Sequence, residues 1–162
     1  MPVIELTTEI RAPVERVFDL SRSVDLHAAS VAHTGERAVA GVMRGLIGPG
    51  QEVTWSARHF GVRQTLTSRI TLFERPQRFR DSMVRGAFRR FDHDHLFAAT
   101  ALGTTMTDIF DYDSPLGIIG RLADALFLEA YMRRLLLQRN RVIKEVAESD
   151  GWRRYLTDRS AT

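Results

Sequence analysis

The sequence predicts an α+β domain: a curved antiparallel sheet of seven strands wrapped on one long C-terminal helix, with two short helices after the first strand. Three observations carry this prediction. Ser114 to Glu148 places apolar residues at helical spacing, opened by a capping hydroxyl and Pro115 and closed by Ser149-Asp150-Gly151. Before it, Gln51 to Tyr112 is a succession of alternating segments separated by Gly- or Pro-containing turns. A one-sided helix following such strands needs a sheet face to cover its apolar stripe.

Taken in order, Val3 to Ile10 alternates apolar and polar, as a half-buried strand does. Ala12 to Leu20 changes to helical spacing, with Val14, Val17 and Phe18 on one face, and Asp25 to Ser30 forms a second short helix. Glu36 to Gly41 is a strand. Gly41 to Gly50 holds four glycines and Pro49 and is a loop; without a following Lys-Ser/Thr or helix it is not a phosphate cradle. Strands then follow at Gln51–His59, Val62–Phe73, Arg78–Arg85, Phe88–Thr100 and Thr104–Tyr112. The final helix would run about 50 Å at ~1.5 Å per residue. Its second half carries a stripe of Leu128, Met132, Leu135, Leu136, Val142, Ile143 and Val146, interrupted by Arg139, with Arg134, Gln138, Arg141, Lys144, Glu145 and Glu148 opposite.

With 162 residues the chain is expected to be a single domain over 1–150, followed by a polar tail over 151–162 that Trp152 and Tyr155 would tack down. The absence of cysteine excludes disulfides, thiol chemistry and Cys-based zinc or iron–sulfur centres. The start, Met1 to Glu5, lacks a basic region and an apolar signal core, so a cytoplasmic location is expected. Leu116 to Met132 is interrupted by Arg121, Asp124 and Glu129, which argues against a membrane span. Lys144 is the only lysine, and several of the arginines from Arg75 to Arg90 fall on the predicted wet face or at turns. They are expected to form a solvated face and not a nucleic-acid interface.

The alternation of the strands places an unusual set of polar residues inward. Val53, Trp55, Ala57 and His59 share one face; Phe79 and Met83 bracket Asp81; Phe91 and Phe97 bracket His93 and His95; Met106 and Phe110 bracket Asp108. Arg139 meets this face from the helix, while Arg90, Asp92 and Asp94 face away. Buried charges are costly unless paired, so the inward set is either mutually satisfied or functional. In the first case Arg139 bonds Asp81 or Asp108 and the histidines donate to carbonyls or carboxylates. In the second they are polar anchors in an apolar pocket. A metal set of His59, His93 and His95 is a third reading, weakened by the absence of a glutamate at short spacing after His93-Asp94-His95. No serine sits in a nucleophile elbow.

These features resemble the SRPBCC superfamily, the helix-grip fold of START lipid-binding domains, polyketide cyclases and the birch-pollen allergen. The resemblance spans Val3 to Glu148 and rests on the first strand with Ile10 to Phe18, which includes Ala12-Pro13, the antiparallel series and the long last helix. A bacterial subgroup of uncharacterised members is similar in its Trp-x-Ala-x-His-x-Gly stretch, here Trp55 to Gly61. It is also similar in its His-x-His-x-Phe strand, here His93 to Phe97, in Gly103 to Asp108 and in Ser114 to Gly117. The resemblance implies a deep cavity between sheet and helix suited to a hydrophobic or amphipathic molecule, and implies no reaction.

The expected function is therefore intracellular binding of a lipid-, polyketide- or aromatic-type molecule, with no cofactor. Apolar walls would come from Trp55, Met83, Phe91, Phe97, Met106 and Phe110, with Leu128, Met132 and Leu135 from the helix. His59, Asp81, His93, His95, Asp108 and Arg139 would orient polar groups. Two alternatives remain open. One is a cyclase or dehydratase using His59, His93 or Asp108 in acid–base catalysis. The other is an interaction module, dimerising through Leu122, Leu126, Phe127 and Tyr131.

Overall fold

The first strand, β1 (Val3–Ile10), keeps the alternation of its sequence: Ile4, Leu6 and Ile10 are buried. The computed structural model describes residues 2–114 and 127–157. After β1 come α1 (Val14–Ser21) and α2 (Val24–Ser30), then β2 (Arg37–Gly41), β3 (Glu52–His59), β4 (Val62–Glu74), β5 (Arg78–Arg85), β6 (Arg90–Thr100) and β7 (Gly103–Asp113). The long helix is α3 (Glu129–Glu148), and a short α4 (Arg153–Leu156) follows it. Ser23 caps α2 by accepting a bond from the Leu26 N–H at 3.2 Å.

The strands form one seven-stranded antiparallel sheet in the order β1-β7-β6-β5-β4-β3-β2. Strands β2 to β7 meander, each beside its neighbour in sequence, while β1 pairs with β7 from Val3↔Asp111 to Ile10↔Thr104. Gly103 makes that junction. Its φ is +150°, and a Cβ there would lie 2.1 Å from the Ile10 carbonyl oxygen. Beside it the Thr104 hydroxyl donates to the Ala12 carbonyl at 2.8 Å.

Two apolar clusters fill the space between sheet and helices. In one, Phe18 of α1 meets Phe73, Phe79 and Phe97 edge-on at 5.2–5.4 Å between ring centroids. The other joins Ile4, Leu6, Phe91, Phe110 and Tyr112 to Leu136 of α3. Along β7 the inward residues run Met106, Asp108, Phe110, so the polar residue lies between one cluster and the other.

α3 differs from the expected helix. The expected first half, Pro115 to Leu126, lies outside the described residues, and a wider π-type turn at 127–128 precedes Glu129. The buried face is Leu136, Arg139, Asn140, Ile143 and Ala147. Val142 and Val146, assigned to the apolar stripe, are only partly buried, because the face is rotated toward Asn140 and Ala147. The helix end is docked by Arg16, whose guanidinium donates to the Ala147 carbonyl at 3.1 Å, and by Glu148, which accepts from the Arg11 N–H at 2.9 Å. Trp152, Tyr155 and Leu156 pack against the larger cluster.

On the outer face several arginines are paired. Arg80 grips Asp94 with two bonds of 2.8 Å, Arg78 holds Glu74 at 2.8 and 2.9 Å, and Arg90 holds Asp111 at 2.9 Å. The cross-strand register sets Glu74↔Arg78 and Arg80↔Asp94 directly, while Arg90, opposite Asp113, reaches Asp111 on the diagonal.

Candidate functional site

Between the sheet and α3 lies a cavity of about 450 Å³, within the usual range for small-molecule sites. Its apolar walls are Val53, Trp55 and Ala57 of β3, Phe91 of β6, Phe110 of β7, and Met132, Leu135 and Leu136 of α3. Leu128 also lines it, while Phe60 and Phe127 do so with 68% and 69% of their surface exposed. Phe60 has φ +52° in the two-residue β3–β4 turn with Gly61, and its ring lies 4.7 Å from that of Tyr131.

Asp108 organises the polar part. It is fully buried and accepts from His93 Nε2 at 3.1 Å, His95 Nδ1 at 2.8 Å, Arg139 Nη1 at 3.3 Å and Asn140 Nδ2 at 2.7 Å. Burial alone would raise its carboxyl, but bonds from His93 and His95 and the charge of Arg139 hold it well below the ordinary carboxylate range. Arg139 also donates to the Ser21 carbonyl at 3.0 Å and to Asn140 Oδ1 at 3.2 Å. On the cavity side His95 Nε2 lies 2.9 Å from Asp81 Oδ1, and His93 Nδ1 lies 3.9 Å from the same oxygen.

The two rings are set apart by these contacts. Burial lowers the pKa of His95, but bonds to Asp108 and Asp81 outweigh it and raise the pKa overall, which favours a ring protonated on both nitrogens between the two carboxylates. Burial and the neighbouring His95 keep His93 low and neutral. The Asp81 carboxyl, raised by burial, is lowered overall by His95, His93 and Arg139. Phe79 stacks on the His95 ring at 4.2 Å, fixing its plane.

A second polar group lines the same cavity. His27 Nε2 lies 2.6 Å from Glu36 Oε1, and the His27 ring covers Trp55 at 4.4 Å. Burial raises the Glu36 carboxyl, and the bond and charge of His27, with His59, lower it overall. His59 Nδ1 lies 2.7 Å from the Tyr131 hydroxyl, whose pKa is raised by burial and by the Glu36 charge.

The structure thus places the expected site residues unequally. Trp55, His59, Asp81, Phe91, His93, His95, Phe110, Met132, Leu135 and Arg139 all line the cavity. Met83, Phe97, Met106 and Asp108 do not: Phe97 and Met106 belong to the larger apolar cluster, Met83 packs on the smaller, and Asp108 stands behind the histidines. Arg139 pairs with Asp108 and not with Asp81. His59 is not in the metal-type cluster; among the described residues that cluster is Asp81, His93 and His95. Of the expected dimer face, Phe127 and Tyr131 line the cavity and Leu122 and Leu126 lie outside the described residues. Sequence reasoning missed His27, Glu36 and Asn140, none of which falls in an alternating strand; only the i+4 spacing of Asn140 from Leu136 marks it as inward.

A family model described as polyketide cyclase / dehydrase and lipid transport matches residues 1–148. The chain belongs to this family. Membership supports binding of a hydrophobic small molecule in general. Among solved structures the chain is similar to TTHA0849 from Thermus thermophilus, with 19% identity, a TM-score of 0.72, and coverage of 89% of this chain and 95% of that one. It is also similar to CV1439 from Chromobacterium violaceum, with 16% identity, a TM-score of 0.66, and coverage of 93% and 100%. The major latex-like protein 151 of Panax ginseng gives 15% identity, a TM-score of 0.67, and coverage of 91% and 98%. At such identities these likenesses establish the helix-grip fold alone. No curated protein matches the chain. No helix among the described residues is long and apolar enough to cross a membrane.

Proposed function

We propose that this family member binds an amphipathic small molecule of lipid, polyketide or aromatic type. Its apolar body would lie along Trp55, Phe91 and Leu135, and its polar group would meet Asp81, His93 and Arg139. The observation that carries this reading is a cavity of about 450 Å³ whose mostly apolar wall is interrupted by a few convergent, rigidly held polar groups. A site evolved only for packing would be filled by side chains, as protein interiors ordinarily are.

The test is filling the cavity from a wall residue that takes no part in the hydrogen bonds. Ala57 is buried on β3 and faces the cavity. A panel of fatty acids, flavonoids and polyketide-like aromatics is screened by calorimetry, and Ala57→Trp is compared with the parent. At least a tenfold loss of affinity in a variant with an unchanged circular-dichroism spectrum is expected. Binding that survives Ala57→Trp undiminished would place the ligand elsewhere and overturn the reading.

A further inference from the structure

We propose that Asp81, His93 and His95 form a binding site for one first-row divalent transition-metal cation, with Asp108 orienting both imidazoles. The donor atoms of Asp81, His93 and His95 lie within 4.8 Å of one another, and the two separations from Asp81 Oδ1 are 2.9 and 3.9 Å. Around a cation with bonds of about 2.0–2.1 Å, neighbouring donors stand roughly 3 to 3.4 Å apart. Small side-chain rotations bring this set to that spacing.

The far side of the two rings is the stronger argument. His93 Nε2 and His95 Nδ1 both lie against the same buried oxygen, Asp108 Oδ1, at 3.1 and 2.8 Å. An ionised carboxylate only accepts, so it holds a proton on each of those nitrogens and turns the remaining ring nitrogens, His93 Nδ1 and His95 Nε2, toward Asp81. A carboxylate behind a histidine is the arrangement that fixes tautomer and ring direction in metal-ligating imidazoles. Here one carboxylate serves two rings, and it is itself held by Arg139 and Asn140.

A hydrogen-bond network alone accounts for only part of this. A proton on His95 satisfies the bond to Asp81, yet His93 Nδ1, at 3.9 Å from Asp81, is beyond hydrogen-bonding distance. Among the described residues no hydrogen bond reaches that nitrogen. Asp81 and Asp108 supply two carboxylates against the guanidinium of Arg139 and a proton on His95 Nε2; a divalent cation would displace that proton, take its place beside Asp81 and also reach His93 Nδ1. Two imidazoles and one carboxylate suit Zn²⁺, Co²⁺, Fe²⁺ or Mn²⁺ and not Ca²⁺ or Mg²⁺. All three donors line the cavity, so the remaining coordination positions open onto it. This inference does not depend on which organic molecule the cavity takes.

The experiment uses untagged full-length protein stripped with chelator and dialysed against Zn²⁺, with the bound ion counted by mass spectrometry. In parallel, Co²⁺ is titrated and its visible d–d absorption followed. One equivalent of Zn²⁺ and a Co²⁺ spectrum of nitrogen–oxygen coordination are expected. Asp81→Asn and His93→Gln should each weaken binding at least roughly 100-fold, whereas His33→Ala, at an exposed position away from the cavity, should leave it unchanged. Thermal unfolding without metal establishes that each variant is folded. Substoichiometric binding by the parent, or binding that persists in folded Asp81→Asn and His93→Gln, would overturn the proposal.

Discussion

Asp108 has no solvent exposure and four hydrogen-bond donors, which makes it the residue on which the polar interior depends. In Asp108→Asn, shape is kept but one oxygen becomes an NH2 facing donors, and Arg139 loses its buried counter-charge. Breaking one side of a buried ion pair costs about 3–5 kcal/mol. Urea unfolding should show a loss of that size; a loss under about 1 kcal/mol would mean that water replaces the carboxylate. Asp108, Asp81, His93 and His95 were legible in the sequence because strand alternation has a period of two, and each is bracketed by aromatic or methionine residues on the same face. Their division of labour was not. Alternation assigns a face, not a depth, so it cannot separate Asp81 on the cavity wall from Asp108 behind it. His27 and Glu36 carry no such signal, since one lies on a seven-residue helix and the other just before β2.

At the scale of elements, the last turn of α1 is held by Asp19. It accepts from Arg22 at 2.9 Å, and from Arg75, in the turn between β4 and β5, at 3.1 and 2.7 Å. Burial raises the Asp19 carboxyl, but the bonds from Arg75 and Arg22 outweigh it and hold it below the ordinary aspartate value. A depressed carboxyl pKa contributes stability above the unfolded-state value, and that contribution is lost as pH falls through the folded-state value. The stability gap between the parent and Asp19→Asn should therefore be full at neutral pH and shrink below about pH 4. Chemical unfolding across pH measures it, and a gap that stays constant down to acid would refute the role of the charge. The elements themselves were readable from period and turn residues, with ends displaced by a residue or two. Glu36 and Phe88, expected inside strands, precede β2 and β6. The buried face of α3 was misjudged because Asn140 and Ala147 add little hydrophobicity, while Val142 and Val146 add much at positions that sit on its edge.

For the molecule as a whole, a ligand enclosed between sheet and helix is bound only while both are assembled. Binding to the folded state alone adds stability by mass action, about 2.7 kcal/mol at roughly 100 times the Kd. Addition of a ligand found by calorimetry should raise the thermal midpoint with concentration as that relation requires; a midpoint indifferent to saturating ligand would place binding outside the folded cavity. The helix-grip architecture was determined by the sequence alone, because period-two segments, Gly and Pro turns and a one-sided terminal helix each act over a few residues, and their order admits few packings. What only the tertiary structure decided is non-local. The pairing of β1 with β7 is one such feature; the others are the meeting of His59 with Tyr131 and the two imidazoles backed by one carboxylate. Those contacts join residues up to about a hundred positions apart, and their distances follow from how sheet curvature and helix docking place one element against another, which no local pattern encodes.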